Sequence, residues 1–212
     1  MKRILIIMAL AAFAAGPLAA QMAGMPVWNN PKGGTGVTIW GDVAMPNSDL
    51  NKGTSFGARA TLGLANLGLT AGLSSWKPSG ATSSTTSVGG NAAFRIIGGS
   101  LIPVSINLQV GAARASASGA PSATRLTAGG GVAVNVPTPG INVEPYLSLT
   151  NRWYHTSGFT TTSNFGWTLG ANVNFGMFGA HIAYDSESLG SGSTGGIIGI
   201  GAHVALKAPI GM

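Results

Sequence analysis

The sequence contains no cysteine and very few charged residues. Its 212 residues include 11 Lys and Arg and 5 Asp and Glu, so 8% of the chain is charged, against roughly 25% in an average soluble domain. The absence of cysteine excludes a disulfide scaffold. The apolar share of 45% argues against a disordered chain, because disordered segments are poor in apolar residues and rich in charge.

Three further classes lack support in the sequence. The formal net charge of +6 reflects a shortage of acids, and no cluster of Lys and Arg with interleaved aromatics indicates a nucleic-acid partner. After Gln21 there is no run of the ~18 apolar residues that a helical membrane span needs. The 34 glycines show no three-residue period, which excludes a collagen helix.

The first residues have the pattern of an export signal. Lys2 and Arg3 give a positive start, residues 4–15 are apolar but too few to span a membrane, and residues 16–20 are mostly small. This order is typical of a cleaved signal peptide. We predict cleavage between Ala20 and Gln21.

Beyond the signal, apolar and small polar residues alternate. Residues 165–175 place Phe, Trp, Leu, Ala, Val and Phe on one face and Gly, Thr and Asn on the other. Residues 104–111 and 198–207 divide in the same way. A period of two predicts strands with one apolar face.

About ten such strands are predicted, and their connections alternate between short and long. An up-and-down meander has this arrangement when its tight turns lie at one end and its long loops at the other, which places both termini at the tight-turn end. The predicted strands begin near Thr35, Ser55, Leu67, Val88, Pro103, Thr124, Asn142, Asn164, Met177 and Gly195. The predicted long loops are Met45 to Thr54, Lys77 to Ser87, Ala115 to Ala123, His155 to Ser163 and Ser186 to Thr194.

Two of the short connections predict a strand register. A turn at residues 176–177 has glycine first, as a type II′ hairpin prefers, and would place Asn172 opposite His181. A turn at residues 66–67 would place Gly57 opposite Trp76.

The composition of the two faces predicts which of them points outward. The polar face consists of Gly, Ala, Ser, Thr and Asn with scattered Arg, and it lacks the Lys and Glu that coat a soluble sheet. The apolar face would therefore meet lipid, with aromatic girdles at both edges of the apolar band. A soluble secreted β-sandwich is the alternative. The girdle residues are Phe56, Trp153, Phe165, Trp167 and Tyr184 near the long loops and Phe94, Phe175 and Phe178 near the tight turns.

With its signal peptide, alternation, loop asymmetry and girdles, the chain resembles the small outer-membrane β-barrel proteins of bacteria. The resemblance implies a closed antiparallel up-and-down transmembrane barrel of ten strands, or eight, in the outer membrane, with outer-membrane lipids and the barrel-assembly machinery as partners. Residues 1–20 would be the signal peptide, 21–34 a periplasmic segment and 35–212 the barrel. Such barrels usually end in an aromatic residue, whereas this chain runs on through Lys207 to Met212. Its assembly signal could instead end at Leu206.

Few charges face the predicted lumen. Opposite charges could pair across the lumen and brace the wall, or they could form a constriction that selects ions, and an excess of Arg would then favour anions. His181 and His203 lack a carboxylate at ligand spacing, so we predict lumenal hydrogen bonding, with Asn172 as partner of His181, and no metal or cofactor. The inward charges are Asp42, Arg125, Arg152 and Asp185 near the long loops, Arg59 below them, and Arg95, Glu144 and Lys207 at the opposite end.

The function these features favour is a structural barrel or a narrow passive pore for small solutes or ions. A lumen open to water is favoured by Gly129, Gly131, Gly170, Gly199 and Gly201, whereas Trp40, Trp76 and Tyr146 could close it. One alternative is a surface adhesion module that uses the long Ser, Thr and Gly loops. Another is a rim hydrolase built on His155 with Asp185 and Glu187. No spacing fixes a nucleophile beside a base, so we do not predict an enzyme.

Overall fold

Antiparallel strands form the whole wall of the molecule. The computed structural model describes residues 21–99 and 102–206, so the predicted signal peptide and Lys207 lie outside the described residues. Within the described part no helix is long and apolar enough to cross a membrane. The strands are β1 (Gly36–Pro46), β2 (Thr54–Leu64), β3 (Leu67–Lys77), β4 (Thr85–Ile97), β5 (Val104–Ala117), β6 (Ala123–Val134), β7 (Val136–Thr138), β8 (Ile141–Thr156), β9 (Thr162–Phe175), β10 (Phe178–Gly190) and β11 (Ser193–Leu206).

The sheet closes on itself. Successive strands pair with each other except β6 and β7, β1 pairs with β11, and β6 pairs with β8. The short β7 continues β6 after Asn135 along the same neighbour, β8, so the wall has ten strand positions. The prediction of ten strands is confirmed and the alternative of eight is wrong. Closure leaves no unpaired sheet edge, which is the condition for a sheet to reside in lipid.

The apolar face points outward, as predicted. Phe175 is 64% exposed and Val88 is 61% exposed, whereas the inward Ser148 and Thr168 are both at 0%. A soluble sandwich would show the reverse, with apolar side chains packed inside. The alternative of a soluble β-sandwich is therefore wrong.

One of the two predicted turn registers is confirmed. The turn at residues 176–177 places Asn172 opposite His181. The other turn lies one residue earlier than predicted, at Ala65–Asn66, so Gly57 is opposite Ser74 instead of Trp76. The pairing is displaced by an even number of residues, and every side chain consequently keeps its predicted face.

The long connections are shorter than predicted because the strands continue beyond the apolar band. The predicted loop Ser186 to Thr194 is wrong, since β10 and β11 extend until only Ser191 and Gly192 connect them. A strand that leaves the lipid can carry Ser, Thr and Gly on both faces, so the loss of alternation there does not end the pairing. Strands of 11 to 16 residues form most of the wall, against the roughly 9–11 that a crossing needs.

Candidate functional site: the barrel lumen

Residues 21–34 lie inside the barrel. Met25 and Val27 are at 0% exposure and Gln21 is at 1%. The sequence predicted that these residues form a periplasmic segment, whereas the structure places them within the wall of the barrel. We call residues 21–34 the internal segment.

Apolar contacts hold the first part of the internal segment near the long-loop end. Met22 and Met25 form a buried cluster with Ala44 and Ile197, and Leu50 packs against it. Leu50 ends a short 3-10 turn in the β1–β2 connection. This connection therefore covers the lumen from above.

Polar contacts fix the middle of the internal segment. Asn29 and Asn107 exchange two side-chain hydrogen bonds of 2.8 and 3.1 Å. The Asn29 side-chain amide also donates to Ser148 Oγ at 2.8 Å. The backbone carbonyl oxygen of Asn29 accepts a hydrogen bond from the Asn172 side chain at 3.2 Å. Buried polar groups are stable in such a site only when they are paired.

Inward glycines make room for the internal segment. A Cβ atom at Gly199 would lie 2.7 Å from Pro26 Cγ, and one at Gly131 would overlap the Asn29 amide. The sequence correctly indicated that small residues leave space in the lumen, but the space at these two positions holds protein atoms.

A buried charge cluster lies near the long-loop end. Arg152 donates to both carboxylate oxygens of Asp185 at 2.8 Å and to Glu187 at 3.0 Å. Its side chain is at 0% exposure. Asp185 also accepts from the Val27 backbone amide at 3.2 Å and from the side chain of Gln21 at 3.2 Å, so the cluster binds the internal segment to the wall.

The rest of this cluster completes the hydrogen bonding of its carboxylates. Thr168 donates to Asp185 at 2.6 Å, and Asn164 donates to Glu187 at 2.7 Å. Tyr154 also donates to Glu187, and Arg125 stacks over the Tyr154 ring with its guanidinium carbon 4.3 Å from the centroid. Arg125, Arg152 and Asp185 thus share the upper lumen as predicted.

A second cluster joins β1, β2 and β10. Asp42 accepts from Arg59 at 2.7 and 2.9 Å, and its distance to His181 Nε2 is 2.6 Å. The two residues His181 and Asn172 lie opposite each other, but the predicted hydrogen bond between their side chains is wrong. Asn172 donates to the backbone of the internal segment, and His181 binds Asp42 instead. The ring nitrogen Nε2 of His203 lies 3.0 Å from Asn174 Oδ1.

The lower charges bind the end of the internal segment. Glu144 accepts from the Lys32 backbone amide at 3.3 Å, and Arg95 donates to the Lys32 carbonyl oxygen and to Asn66. The ion pairs join nearby strands, with Arg59 on β2 bound to Asp42 on β1 and Arg152 on β8 bound to Asp185 on β10. They would therefore brace one side of the wall and do not cross the lumen as predicted.

The three residues considered for the alternative of a rim hydrolase do not come together. His155 Nδ1 lies 3.1 Å from Thr161 Oγ1 on the exposed rim, whereas Asp185 and Glu187 face inward and bind Arg152. Among the described residues no group of three His, Cys, Asp or Glu side chains is arranged to hold a metal ion.

The predicted girdle residues all belong to the outward face. Phe56, Phe165 and Tyr184 near the long loops are 60%, 53% and 44% exposed, and the rings of Trp167 and Tyr184 are 5.7 Å apart. At the opposite end Phe94, Phe175 and Phe178 are 53%, 64% and 58% exposed. Their contact with lipid headgroups stays a prediction.

Sequence reasoning missed the internal segment and its partners Asn29 and Asn107. A signal was present in residues 22–31, which contain Met22, Met25, Val27 and Trp28. A solvated tail does not need so many large apolar side chains, and a buried one does.

A closed wall with an apolar exterior and a polar lumen defines a transmembrane β-barrel of the outer-membrane type. No family model matches the chain, and no curated protein sequence matches it.

Solved structures that resemble the chain are bacterial outer-membrane proteins. Neisserial surface protein A is 15% identical with a TM-score of 0.41, over 81% of this chain and 98% of that one. A bacterial polysaccharide outer membrane secretin is 8% identical with a TM-score of 0.50, over 81% and 65%. The N-terminal β-barrel domain of OprF from Pseudomonas aeruginosa is 11% identical with a TM-score of 0.38, over 82% and 99%. At these identities the likeness concerns the fold alone.

Proposed function

We propose that this protein is a structural barrel of the outer membrane whose lumen is closed by its own internal segment. The observation that carries the proposal is the burial of Met25 and Val27 at 0% exposure inside the wall. A barrel of this size without such a segment would contain water, because an eight-stranded barrel is just filled by its own side chains and a larger one is not. The resting protein would therefore pass no ions.

The ties between the internal segment and the wall support a closed state. The hydroxyls of Ser55 and Ser74 donate to the Ala23 carbonyl oxygen at 3.1 and 3.0 Å, and Asn29 and Lys32 are bound further down. The contacts therefore run from the upper lumen to the tight-turn end. A segment held at so many levels would not leave the lumen through the loss of one contact.

Planar-bilayer recording tests the closed state. The full chain should give no conductance steps, whereas deletion of residues 22–34 should give them because the glycine-lined bore fills with water. Folding of the deletion variant is checked by its heat-dependent migration in detergent gels. Conductance of the full chain equal to that of the deletion variant, or a folded deletion variant that stays silent, would contradict the proposal.

A gated narrow pore is the second candidate, favoured by the contacts of two methionines. A Cβ atom at Gly57 would lie 2.9 Å from Met25 Cε, and one at Gly72 would lie 3.2 Å from Met22 Cε. Methionine is flexible, so these side chains could open a path past the wall. Replacing both by Ala should then produce small conductance steps, while replacing both by Leu should not. Silence of the double Ala variant would remove this candidate.

The location and partners of the barrel complete the proposal. The chain would be exported by its signal peptide, inserted by the barrel-assembly machinery and surrounded by outer-membrane lipids. Cell fractionation should recover it with the outer membrane, and depletion of the assembly machinery should lower the amount that resists heat unfolding. Recovery in the periplasm without detergent would contradict this location.

A further inference from the structure

A cavity of about 320 Å³ lies between the internal segment and a wall formed by β1 to β5 together with parts of β9 and β11. Trp28 and Asn29 form its inner side, and Thr61, Thr70 and Asn91 belong to the opposite side. Its volume is at the lower end of the roughly 300–1,000 Å³ of small-molecule sites. The cavity is therefore large enough for an organic ligand and not only for an ion.

The charged groups at the cavity are of one sign. Arg59 and Arg95 line it, and no Asp or Glu does. Arg59 gives its Nε and Nη2 protons to Asp42, while its Nη1 makes no hydrogen bond within the described residues and the side chain stays 10% exposed. Arg95 bonds only to neutral groups there, the Lys32 carbonyl and the Asn66 amide. Both guanidinium groups can bind a further anionic oxygen.

Between the two guanidinium groups the wall carries neutral polar side chains. The hydroxyls of Thr61 and Thr70 are 2.9 Å apart, and Trp40 Nε1 donates to Thr61 at 3.0 Å. Asn91 lines the same wall, and its amide makes no side-chain hydrogen bond within the described residues. Hydroxyl and amide groups of this kind both donate and accept, which suits the hydroxyls of a polyol or sugar.

We propose that this cavity binds a small hydroxylated organic anion of the sugar-acid class, which enters from the tight-turn end. Its carboxylate would bind Arg95 at the mouth, and its hydroxyls would bind Thr70 and Asn91. The internal segment forms one side of the site, so the inference rests on the closed state proposed above.

Binding is measured by calorimetry and by tryptophan fluorescence on the full chain in detergent, since Trp28 and Trp40 both line the cavity. The probes are gluconate and glucuronate, with glucose as the neutral probe and glucosamine as the cationic one. The acids should bind saturably, glucose at least tenfold more weakly, and glucosamine not at all. Equal binding of acid and neutral sugar, or no saturable binding of any probe, would overturn the proposal.

Amino-acid substitutions test whether the acids bind in this cavity. Arg95→Gln should weaken binding of the acids by tenfold or more, whereas Arg125→Gln should not, because Arg125 stacks on Tyr154 away from the cavity. Ala93→Leu provides a second variant, since it places bulk in the cavity without changing charge, and it should abolish binding. Binding that survives in a folded Arg95→Gln or Ala93→Leu variant would overturn the proposal.

The binding proposal and the proposal of a closed lumen are tested by different measurements, so either can be contradicted separately. A full chain that conducts contradicts the closed state whatever it binds. A silent full chain that binds no acid contradicts the site alone.

Discussion

Two parts of the lumen both have small inward residues, but one part is filled by the internal segment and the other contains the cavity. On the side of β8 to β11 the internal segment packs directly on the wall, and a Cβ atom at Gly199 would collide with Pro26 and Trp28. Along the tight-turn half of β2 to β4 the cavity separates the two, and a Cβ atom at Gly68 would meet nothing closer than 3.9 Å. A lumenal glycine can thus be required by a contact or can simply leave space.

The arginines of these two parts of the lumen also differ in their partners. Arg152 on the packed side is fully buried and shares its guanidinium between Asp185 and Glu187. Arg59 lies at the border, paired with Asp42 but open to the cavity, and Arg95 has only neutral partners among the described residues. Paired charges therefore stabilise the side on which the internal segment packs against the wall, and excess positive charge faces the cavity.

The largest effect is expected from Arg152→Ala. The substitution leaves the Asp185 and Glu187 carboxylates buried without their main partner, and breaking a buried ion pair costs about 3–5 kcal/mol. The free energy of unfolding, measured by guanidinium titration in lipid vesicles, should fall by about this amount. Arg114→Ala is the matched control because Arg114 is exposed on the outer face, and it should leave the stability unchanged. Equal losses in both variants would contradict the bracing role.

Asn29→Ala should have the next largest effect. It deprives the side chains of Asn107 and Ser148 of a partner, and each orphaned buried polar group costs about 1–3 kcal/mol. We expect a loss of about 3 kcal/mol by the same titration. Asn91→Ala is the comparison on the cavity side, where no described side-chain hydrogen bond is lost, and it should cost far less. A smaller loss in Asn29→Ala than in Asn91→Ala would break the distinction between the two sides.

The sequence predicted the wall well because its alternation is a local signal. All ten strands begin within three residues of their predicted starts, from Gly36 to Ser193. Every predicted inward charge within the described strands lies on the inward face, since a face depends only on parity along a strand. The turn at Ala65–Asn66 was predicted one residue too late because Ala65, its first residue, adopts a φ of 56°. This conformation is uncommon for alanine.

The contacts inside the lumen could not be predicted from the alternation of residues along the strands. The contacts of Asn29 with Asn107 and of Gln21 with Asp185 join residues 78 and 164 positions apart. No periodicity links such residues, because the internal segment is an irregular chain inside a regular wall. The hydrogen bond between Asp42 and His181 likewise depends on the closure of β1 on β11, which brings β10 near β1.

Glycine variants test the two sides with the same chemical change. Gly199→Ala adds a methyl group that Pro26 and Trp28 must move to admit, and overpacking of this kind costs about 1–3 kcal/mol. Gly68→Ala adds the same group where space is free, and it should be neutral or stabilising by about 0.5 kcal/mol, because glycine weakens a strand relative to alanine. A destabilised Gly68→Ala variant would mean that the cavity side is packed as well.

The smallest effect is expected at the border between the two sides. Trp40→Phe removes the hydrogen bond from Nε1 to Thr61, which is worth about 1 kcal/mol. Trp28→Phe removes a similar volume, but the Nε1 group of Trp28 has no partner within the described residues, so its loss relieves an unpaired buried donor. Guanidinium titration should therefore show a larger loss of stability for Trp40→Phe than for Trp28→Phe. The reverse order would mean that packing of the internal segment, and not hydrogen bonding along the cavity wall, sets the stability at this border.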